Sequence, residues 1–209
     1  MRLLIFSDLH DEEVVLGKLK QLVDRERCDY VLSCGDNSRN ISFIEDIIGS
    51  FSRILIVPGN LEGKETNEFL AKNRDCIHEK RVELEKGLNI VGFGYSTITP
   101  FRTYGELSEE EIEKRVSALD IDDNTILLLH CPPRGYFDLI NGRHTGSAAL
   151  LKVIKEKAPL IALFGHIHET IGCCRVGKTM FVKVPPAKRH QCVVVDIRDK
   201  NILVEFLYV

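Results

Sequence analysis
The sequence predicts an α/β fold, organised as one domain over residues 1–209. Three observations carry this expectation. Short apolar, β-branched runs alternate with stretches of helical periodicity, as they do where helices pack on a sheet. At 209 residues and 44% hydrophobic content, the chain is long enough for one sizeable core and short for two, given about 150 residues per domain. No linker, low-complexity tract or internal repeat breaks it.

Arg2 to Phe6 is the first expected strand. Asp11 to Leu22 places Val14, Val15, Leu16, Leu19 and Leu22 at near-helical spacing, with Asp11 as the expected N-cap and acids in the first turn. Tyr30 to Leu32 is a strand, Ile41 to Ile48 a short helix, and Arg53 to Val57 a third strand stopped by Pro58-Gly59. A helix is expected near Glu65 to Ala71. Between Cys76 and Tyr95, brief apolar runs broken by Glu85-Lys86-Gly87 read as a hairpin leading into a longer strand. Ser108 to Leu119 opens Ser-Glu-Glu-Glu, a capping serine followed by acids that suit the positive end of a helix dipole. Thr125 to Leu129 and Leu160 to Phe164 read as buried strands, with a helix from Gly146 to Lys157 between them. From Ile171 the pattern is all β: Ile171–Val176, Thr179–Val184, Gln191–Ile197 and Asn201–Tyr208, with turns at Gly177-Lys178 and Arg198-Asp199-Lys200.

Composition removes several classes of function. The 15 Gly and 7 Pro are ordinary usage, which excludes collagen-like and disordered chains. No apolar run approaches about 18 residues, so no membrane span is expected. The stretch Met1 to Phe6 gives way at once to Ser7-Asp8, too soon for a signal peptide, so the expected location is cytoplasmic. Seven Cys is an odd number at irregular spacing and contains no C-x-x-C, which favours reduced thiols over disulfides or a structural zinc site. Cys28, Cys34, Cys76 and Cys192 are expected to be mostly buried, and the neighbours Cys173 and Cys174 to point to opposite faces of a strand. A net charge of −3 argues against an extended nucleic-acid-binding surface.

The informative feature is the chemistry at the end of each buried strand. Leu3–Ser7 runs into Asp8-Leu9-His10, Tyr30–Cys34 into Gly35-Asp36, and Ile54–Pro58 into Gly59-Asn60. Thr125–Leu129 runs into His130, and Leu160–Phe164 into Gly165-His166-Ile167-His168. Ligands of open α/β sheets bind where the carboxyl ends of strands meet loops. A single Gly-Asp or Gly-Asn after a strand is commonly turn chemistry, and a single His is more often structural than ligating. Five strands delivering such groups to one edge is a different matter. Asp8-x-His10 and His166-x-His168 each put two donors on one side of an extended turn, where both can converge on a site. Carboxylate, amide and imidazole donors suit Mn²⁺, Fe or Zn²⁺ in a water-accessible site. Seven donors exceed one tetrahedral ion and fit two ions roughly 3.5–4 Å apart, sharing a carboxylate and a water.

Asp8-x-His10, Gly35-Asp36, Gly59-Asn60, His130 and Gly165-His166-x-His168, in that order, resemble the calcineurin-like metallophosphoesterase family. His130-x-Pro132-Pro133 and Gly142-x-His144-x-Gly146-Ser147 resemble its small prokaryotic, especially archaeal, members. The resemblance implies a four-layer αββα sandwich of two mixed β-sheets flanked by helices, with a dinuclear centre that hydrolyses phosphate esters. It implies that Asp8, His10 and His168 hold one metal, that Asn60, His130 and His166 hold the other, and that Asp36 bridges them. Manganese is the expected ion, with iron, zinc and nickel as alternatives. Two divalent ions would place positive charge at the loop edge, whatever the residue count says. A phosphate-ester small molecule or nucleotide is the expected partner, and the oligomeric state stays open.

The family often has Gly-Asn-His at the third motif, where the His is thought to protonate the leaving group. Here Leu61 follows Asn60 and has no proton to give. Such an acid typically contributes about 10²–10⁴-fold, so a phosphodiesterase is expected over a monoesterase, attacking phosphorus with a metal-bridging hydroxide. Asn60 is expected to steady the non-bridging oxygens as charge develops. His144, in the loop Asn141-Gly142-Arg143-His144-Thr145-Gly146, is the candidate acid or substrate contact, the alternatives being a helix cap or a solvent-facing residue. Arg134 is a candidate phosphate contact; Lys64 and Arg102 share that chemistry, although surface charge is the commoner fate of such residues. His78 and His190 are expected to be structural or exposed, and nothing is assigned to Val184-Pro185-Pro186. The rival reading is a protein-binding scaffold on the same fold, consistent with Leu61 but not in need of seven intact donors.

Overall fold
The computed structural model describes residues 1–209, the side chain of Lys86 excepted. β1 (Arg2–Phe6), α1 (Glu13–Glu26), β2 (Tyr30–Ser33), α2 (Ile41–Gly49), β3 (Ile54–Ile56) and α3 (Lys64–Lys72) form three strand-and-helix units. β4 (Arg81–Glu83) and β5 (Asn89–Phe93) make the expected hairpin, closed by a 3₁₀ turn at Glu85–Gly87. The two-residue strands β6 (Ser96–Thr97) and β7 (Glu106–Leu107) precede α4 (Glu109–Ser117) and β8 (Thr125–Leu129). β9 (Leu139–Ile140) and β10 (Arg143–His144) pair in the following loop, before α5 (Ala148–Lys157) and β11 (Ile161–Phe164). β12 (Gly172–Val176), β13 (Thr179–Lys183), β14 (Gln191–Arg198) and β15 (Asn201–Tyr208) complete the chain.

Two mixed sheets result. One has the order β15-β14-β1-β2-β3, with β1, β2 and β3 parallel and β14 antiparallel to both its neighbours. The other has the order β12-β13-β11-β8-β5-β4, parallel from β13 to β5 with an antiparallel strand at each edge. Alternation along the strands builds the layers, since successive side chains face opposite ways. Leu3, Ile5 and Leu32 of the first sheet meet Ile126, Leu128, Ile161 and Leu163 of the second in a core between the sheets. Their neighbours Leu4, Phe6 and Val31 face outward onto Val15, Leu19 and Ile44 of α1 and α2. Leu127, Leu129, Ala162 and Phe164 face the other way, onto Ile112 and Val116 of α4 and Leu150 and Val153 of α5. This is the αββα sandwich, and strands buried on both faces explain the nearly continuous apolar runs that read as interior strands.

Local differences from the sequence reading have local causes. Helix α1 starts at Glu13 and runs to Glu26, and Asp11 does not cap it. Asp11 takes a left-handed φ of +65°, bonds through its N–H to Asn37 O at 3.0 Å, and accepts a hydrogen bond from the Ser38 hydroxyl. Its carboxylate ties two loops together instead. Helix α5 begins at Ala148, capped by Ser147, two residues later than Gly146. Ser108 caps α4 with a reciprocal Glu111 contact, as the Ser-x-x-Glu pattern expects. All seven cysteines are free; Cys34, Cys76, Cys131 and Cys192 are buried, Cys28 and Cys174 are half-buried, and Cys173 is exposed. No helix among the described residues is long and apolar enough to cross a membrane.

Candidate active site
The parallel strands β1, β2 and β3 of one sheet and β5, β8 and β11 of the other end at the same rim, and the loops there cross-bond. Asp8 N–H donates to Gly35 O at 2.9 Å, His10 N–H to Asp36 O at 3.3 Å, and Gly165 N–H to His130 O at 3.0 Å. Asp8, His10, Asp36 and His166 all have left-handed φ, at +54°, +50°, +53° and +69°. Such strain in non-glycine residues persists only where surrounding bonds over-determine it, and it concentrates at functional sites. Gly59 and Gly165 are required for room: a Cβ at either would overlap Asp36 Oδ1 or Ser7 Oγ.

Two groups of donors converge there. Ligand atoms of Asp8, His10 and His168 lie within 4.8 Å of one another, as do those of Asp36, His130 and His166. His168 Nε2 is 3.2 Å from Asp8 Oδ1, and His130 Nε2 is 3.5 Å from Asp36 Oδ2 and 3.0 Å from Asn60 Oδ1. The pair Asp8 and His10 shares a site, as its spacing implies. His166 and His168 separate into different groups, because the left-handed φ at His166 rotates the chain between them. Each group takes donors from both sheets.

The donor chemistry fits bound cations. His130 Nδ1 is 2.7 Å from the Cys34 carbonyl, so Nδ1 carries the proton and Nε2 turns its lone pair toward two oxygen acceptors. Three lone pairs meeting require a proton or a metal between them. His10 Nε2 is buried with no hydrogen-bond partner among the described residues and stands 4.0 Å from Asp8 Oδ1. Asp8 is fully buried, yet the His168 contact and the fields of His130 and Lys183 outweigh burial and hold its carboxyl well below the usual range. Burial likewise pushes Asp36 up while His130 draws it down further. His130 itself is lowered by burial but raised more by Asp36, to about 9. Burial, then His130, pushes His166 down to about 4, which keeps it neutral and able to ligate.

Above the donors opens a cleft of about 830 Å³. His10, Asp36, Asn60, His166 and His168 reach it from the rim, Arg134 and His144 line one side, and Ile98 and Phe101 another. Leu61 is there too, its N–H donating to Asp36 Oδ1 at 2.7 Å. His144 is a half-exposed cleft residue on β10 and caps no helix. Among the described residues, Lys64 and Arg102 do not line the cleft; Lys64 faces Glu68 on α3. His78 is structural, accepting from Gly94 N–H at 2.9 Å, whereas His190 ends a 3₁₀ turn at the surface.

Several groups escaped the sequence reading. Glu62 is buried and accepts from Asn37 N–H at 2.7 Å and Gly59 N–H at 2.8 Å, bracing two donor loops. Burial and the nearby Asp36 push its carboxyl up to about 7. Buried Asp138 holds His144 Nδ1 at 2.6 Å and accepts from the N–H groups of Gly135 and Gly146. Arg39 lines the cleft and donates to Leu61 O. The unassigned Pro185-Pro186 leads into Ala187, whose N–H supports Ser7 O at 2.7 Å.

Comparison with known proteins agrees with this geometry. Residues 1–200 match the calcineurin-like phosphoesterase superfamily domain. An uncharacterized protein of Methanocaldococcus jannaschii is 32% identical over 200 residues, covering 89% of this chain and 88% of that protein. A solved structure described as a novel archaeal phosphodiesterase superposes with a TM-score of 0.60 at 16% identity, covering 99% of this chain and 100% of its own. A dimetal phosphatase from Danio rerio gives 0.68 at 10% identity, covering 99% and 95%. At these identities the two solved structures bear on the fold, while the match over residues 1–200 settles the ancestry: the chain belongs to the calcineurin-like phosphoesterase family.

Proposed function
We propose that the protein is a phosphodiesterase dependent on two divalent cations. The observation that carries this reading is the pair of donor groups, Asp8 with His10 and His168 and Asp36 with His130 and His166, side by side under one cleft. Asn60, its Oδ1 3.0 Å from His130 Nε2, would join the second group, and Asp36 would be the carboxylate serving both ions. Nitrogen and oxygen donors suit manganese, iron or zinc, and among these manganese is the ion that the family resemblance favours. When bound, two such cations supply Lewis acidity toward phosphoryl oxygens and lower the pKa of a coordinated water.

The chain supplies orientation and protons. Arg134 holds the non-bridging oxygens, and Asn60 would act on them through the cation that its oxygen helps to hold, so the phosphorus sits where departing charge is stabilised. Leu61 offers no proton. His144 does when it is an imidazolium: the Asp138 carboxylate accepts from its Nδ1–H, and the Nε2–H of this cleft-lining residue is the proton it gives. A cleft of about 830 Å³ accommodates the second ester arm that distinguishes a diester.

The test is turnover of an activated aryl diester, an activated aryl monoester and 2′,3′-cyclic nucleotides by purified protein. Activity is expected with the diester, lost with chelator and restored by Mn²⁺ better than by Mg²⁺. Asp36→Asn is expected to lower kcat/KM by about 10³-fold, on the scale of losing a metal-borne electrostatic contribution. Chelator-resistant turnover would sink the reading. Silence on all three substrates would favour a protein-binding scaffold.

A further inference from the structure
The segment from Ser96 to Leu107 walls the cleft, and it also grips Asn60 from two directions. Gly105 N–H donates to the Asn60 carbonyl at 3.2 Å, and a Cβ on Gly105 would overlap Gly59 O and crowd the Asn60 Cα. From the side-chain direction, Asn60 Nδ2 stands 2.8 Å from Thr103 Oγ1. Thr103 Oγ1 in turn stands 2.6 Å from Glu106 Oε1.

The direction of these bonds is set by the protons each group carries. A carboxylate only accepts. Glu106 accepts from Thr103 N–H at 2.8 Å, from Thr99 N–H at 2.9 Å and from the Thr99 hydroxyl at 2.6 Å. The one hydroxyl proton of Thr103 is therefore committed to Glu106, and its oxygen faces Asn60 as an acceptor. Asn60 must answer with its NH₂ group. That places its other end, Oδ1, in the site at 3.0 Å from His130 Nε2. An asparagine turned over at this position would present N–H groups to a cation, which they repel. Amide orientation is decided by such networks and by nothing in the shape of the amide itself.

We infer that Thr103 and Glu106 are positioning residues that lock the Asn60 amide with its oxygen toward the second cation, through the relay Glu106, Thr103, Asn60. This rests on the reading of Asn60 as a metal ligand. Partners of ligating side chains typically govern metal affinity by about 10–100-fold, and the relay does so from the loop that carries Ile98 and Phe101 into the cleft.

The experiment is Mn²⁺ binding to the full chain, followed by calorimetry and by the paramagnetic resonance of unbound Mn²⁺. Thr103→Val keeps the shape and removes the acceptor; Thr103→Ser keeps the hydroxyl. Thr103→Val is expected to weaken one of the two sites by about 10–100-fold and leave the other within about threefold, with Thr103→Ser restoring both. Glu106→Ala, which removes the acceptor of the Thr103 hydroxyl and so frees it by a different route, is expected to weaken the same site. Thr103→Val binding both ions within about twofold of wild type would overturn the inference and leave the proposed function standing. Equal weakening at both sites that Thr103→Ser does not rescue would also overturn it, because loosening of the whole loop would then suffice. Wild-type protein that takes up fewer than two Mn²⁺ would overturn the functional reading itself, and this relay with it.

Discussion
A histidine on an exposed two-residue strand can present either ring nitrogen to solvent, and the buried carboxylate of Asp138 removes that choice for His144. Burial pushes the Asp138 carboxyl up, but the Gly135 N–H, His144 and the Gly146 N–H together hold it below its ordinary value, so it stays an acceptor. The arrangement follows the logic of a catalytic triad, where a carboxylate fixes the tautomer of the working imidazole. His144→Ala is expected to lower kcat about 10²-fold for diesters with alkyl leaving groups, which need a proton, and less than about threefold for nitrophenyl diesters, which do not. Asp138→Asn should show the same dependence on leaving group. Equal losses on both substrate types would reduce His144 to a binding contact. The seven donors at strand ends were legible because each lies within a few residues of an apolar run. Asp138 was not read, although a signal existed: Asn141-Gly142 between two short runs marks a two-residue hairpin, and both residues do have positive φ. Such a turn pairs Leu139 with His144 and so sets Asp138 beside that histidine. The relay through Thr103 carried no comparable signal, since Thr103 meets Asn60 more than forty residues earlier in the chain, while the Glu106 carboxylate bonds the nearby Thr99 and Thr103.

At the scale of elements, the end of the second sheet opposite the site is tied by one carboxylate. Asp122 accepts from Asn124 N–H at 2.8 Å, from Arg81 on β4 at 2.8 Å, from Asn89 on β5 at 3.1 Å and from Thr125 on β8 at 3.2 Å. Burial pushes its carboxyl up, and the Asn124 N–H, Arg81 and Asn89 draw it down to about 2. A carboxyl with a depressed folded-state pKa contributes stability that is present above its unfolded value and lost as pH falls through the folded one. Asp122→Ala is therefore expected to cost about 1–2 kcal/mol at pH 7, kept low by the carboxylate's partial exposure. The gap in Tm to wild type should close between about pH 4 and pH 2, and thermal melts across that range check it. A gap that persists at pH 2 would assign the loss to packing. Elements were legible in proportion to how local their determinants are. The cap of α4 is written in Ser108 and Glu111, three residues apart. Glu109, an acid in the first turn of its own helix as the sequence reads, also accepts from Ser147 Oγ and the N–H groups of Ala148 and Ala149 at the start of α5. Start positions of α1 and α5 shifted for the same reason: residues adjoining them serve contacts with distant loops.

At the scale of the whole molecule, the site is a seam between two sheets, crossed at this rim by bonds such as His130 Nδ1 to the Cys34 carbonyl and Gly105 N–H to the Asn60 carbonyl. Asp8, His10 and Asp36 come from loops of the first sheet, and His130, His166 and His168 from loops of the second. Three buried carboxylates, Asp8, Asp36 and Glu62, gather there. The buried protein cations that face them are His130 and Lys183, and burial lowers Lys183 to about 8 despite the pull of Asp8. Protein charges alone leave this seam short of positive charge, and two divalent ions would supply it while linking the sheets. A ligand that binds the folded chain and not the unfolded one stabilises by mass action, about 2.7 kcal/mol per site at one hundred times its Kd. For a chain of this size about 1 kcal/mol moves Tm by roughly 2–4 °C. Filling even one site at that excess should therefore raise Tm by roughly 5–10 °C over chelator-treated protein. Mg²⁺ at equal concentration should do less, and Asp36→Asn should lose most of the Mn²⁺ increment because the carboxylate proposed to serve both ions is gone. Calorimetric scans with and without Mn²⁺ decide the matter. If Mn²⁺ at concentrations that saturate turnover leaves Tm unchanged, the ions bind without joining the sheets, and the donors would have to be held in place by the protein's own hydrogen bonds alone.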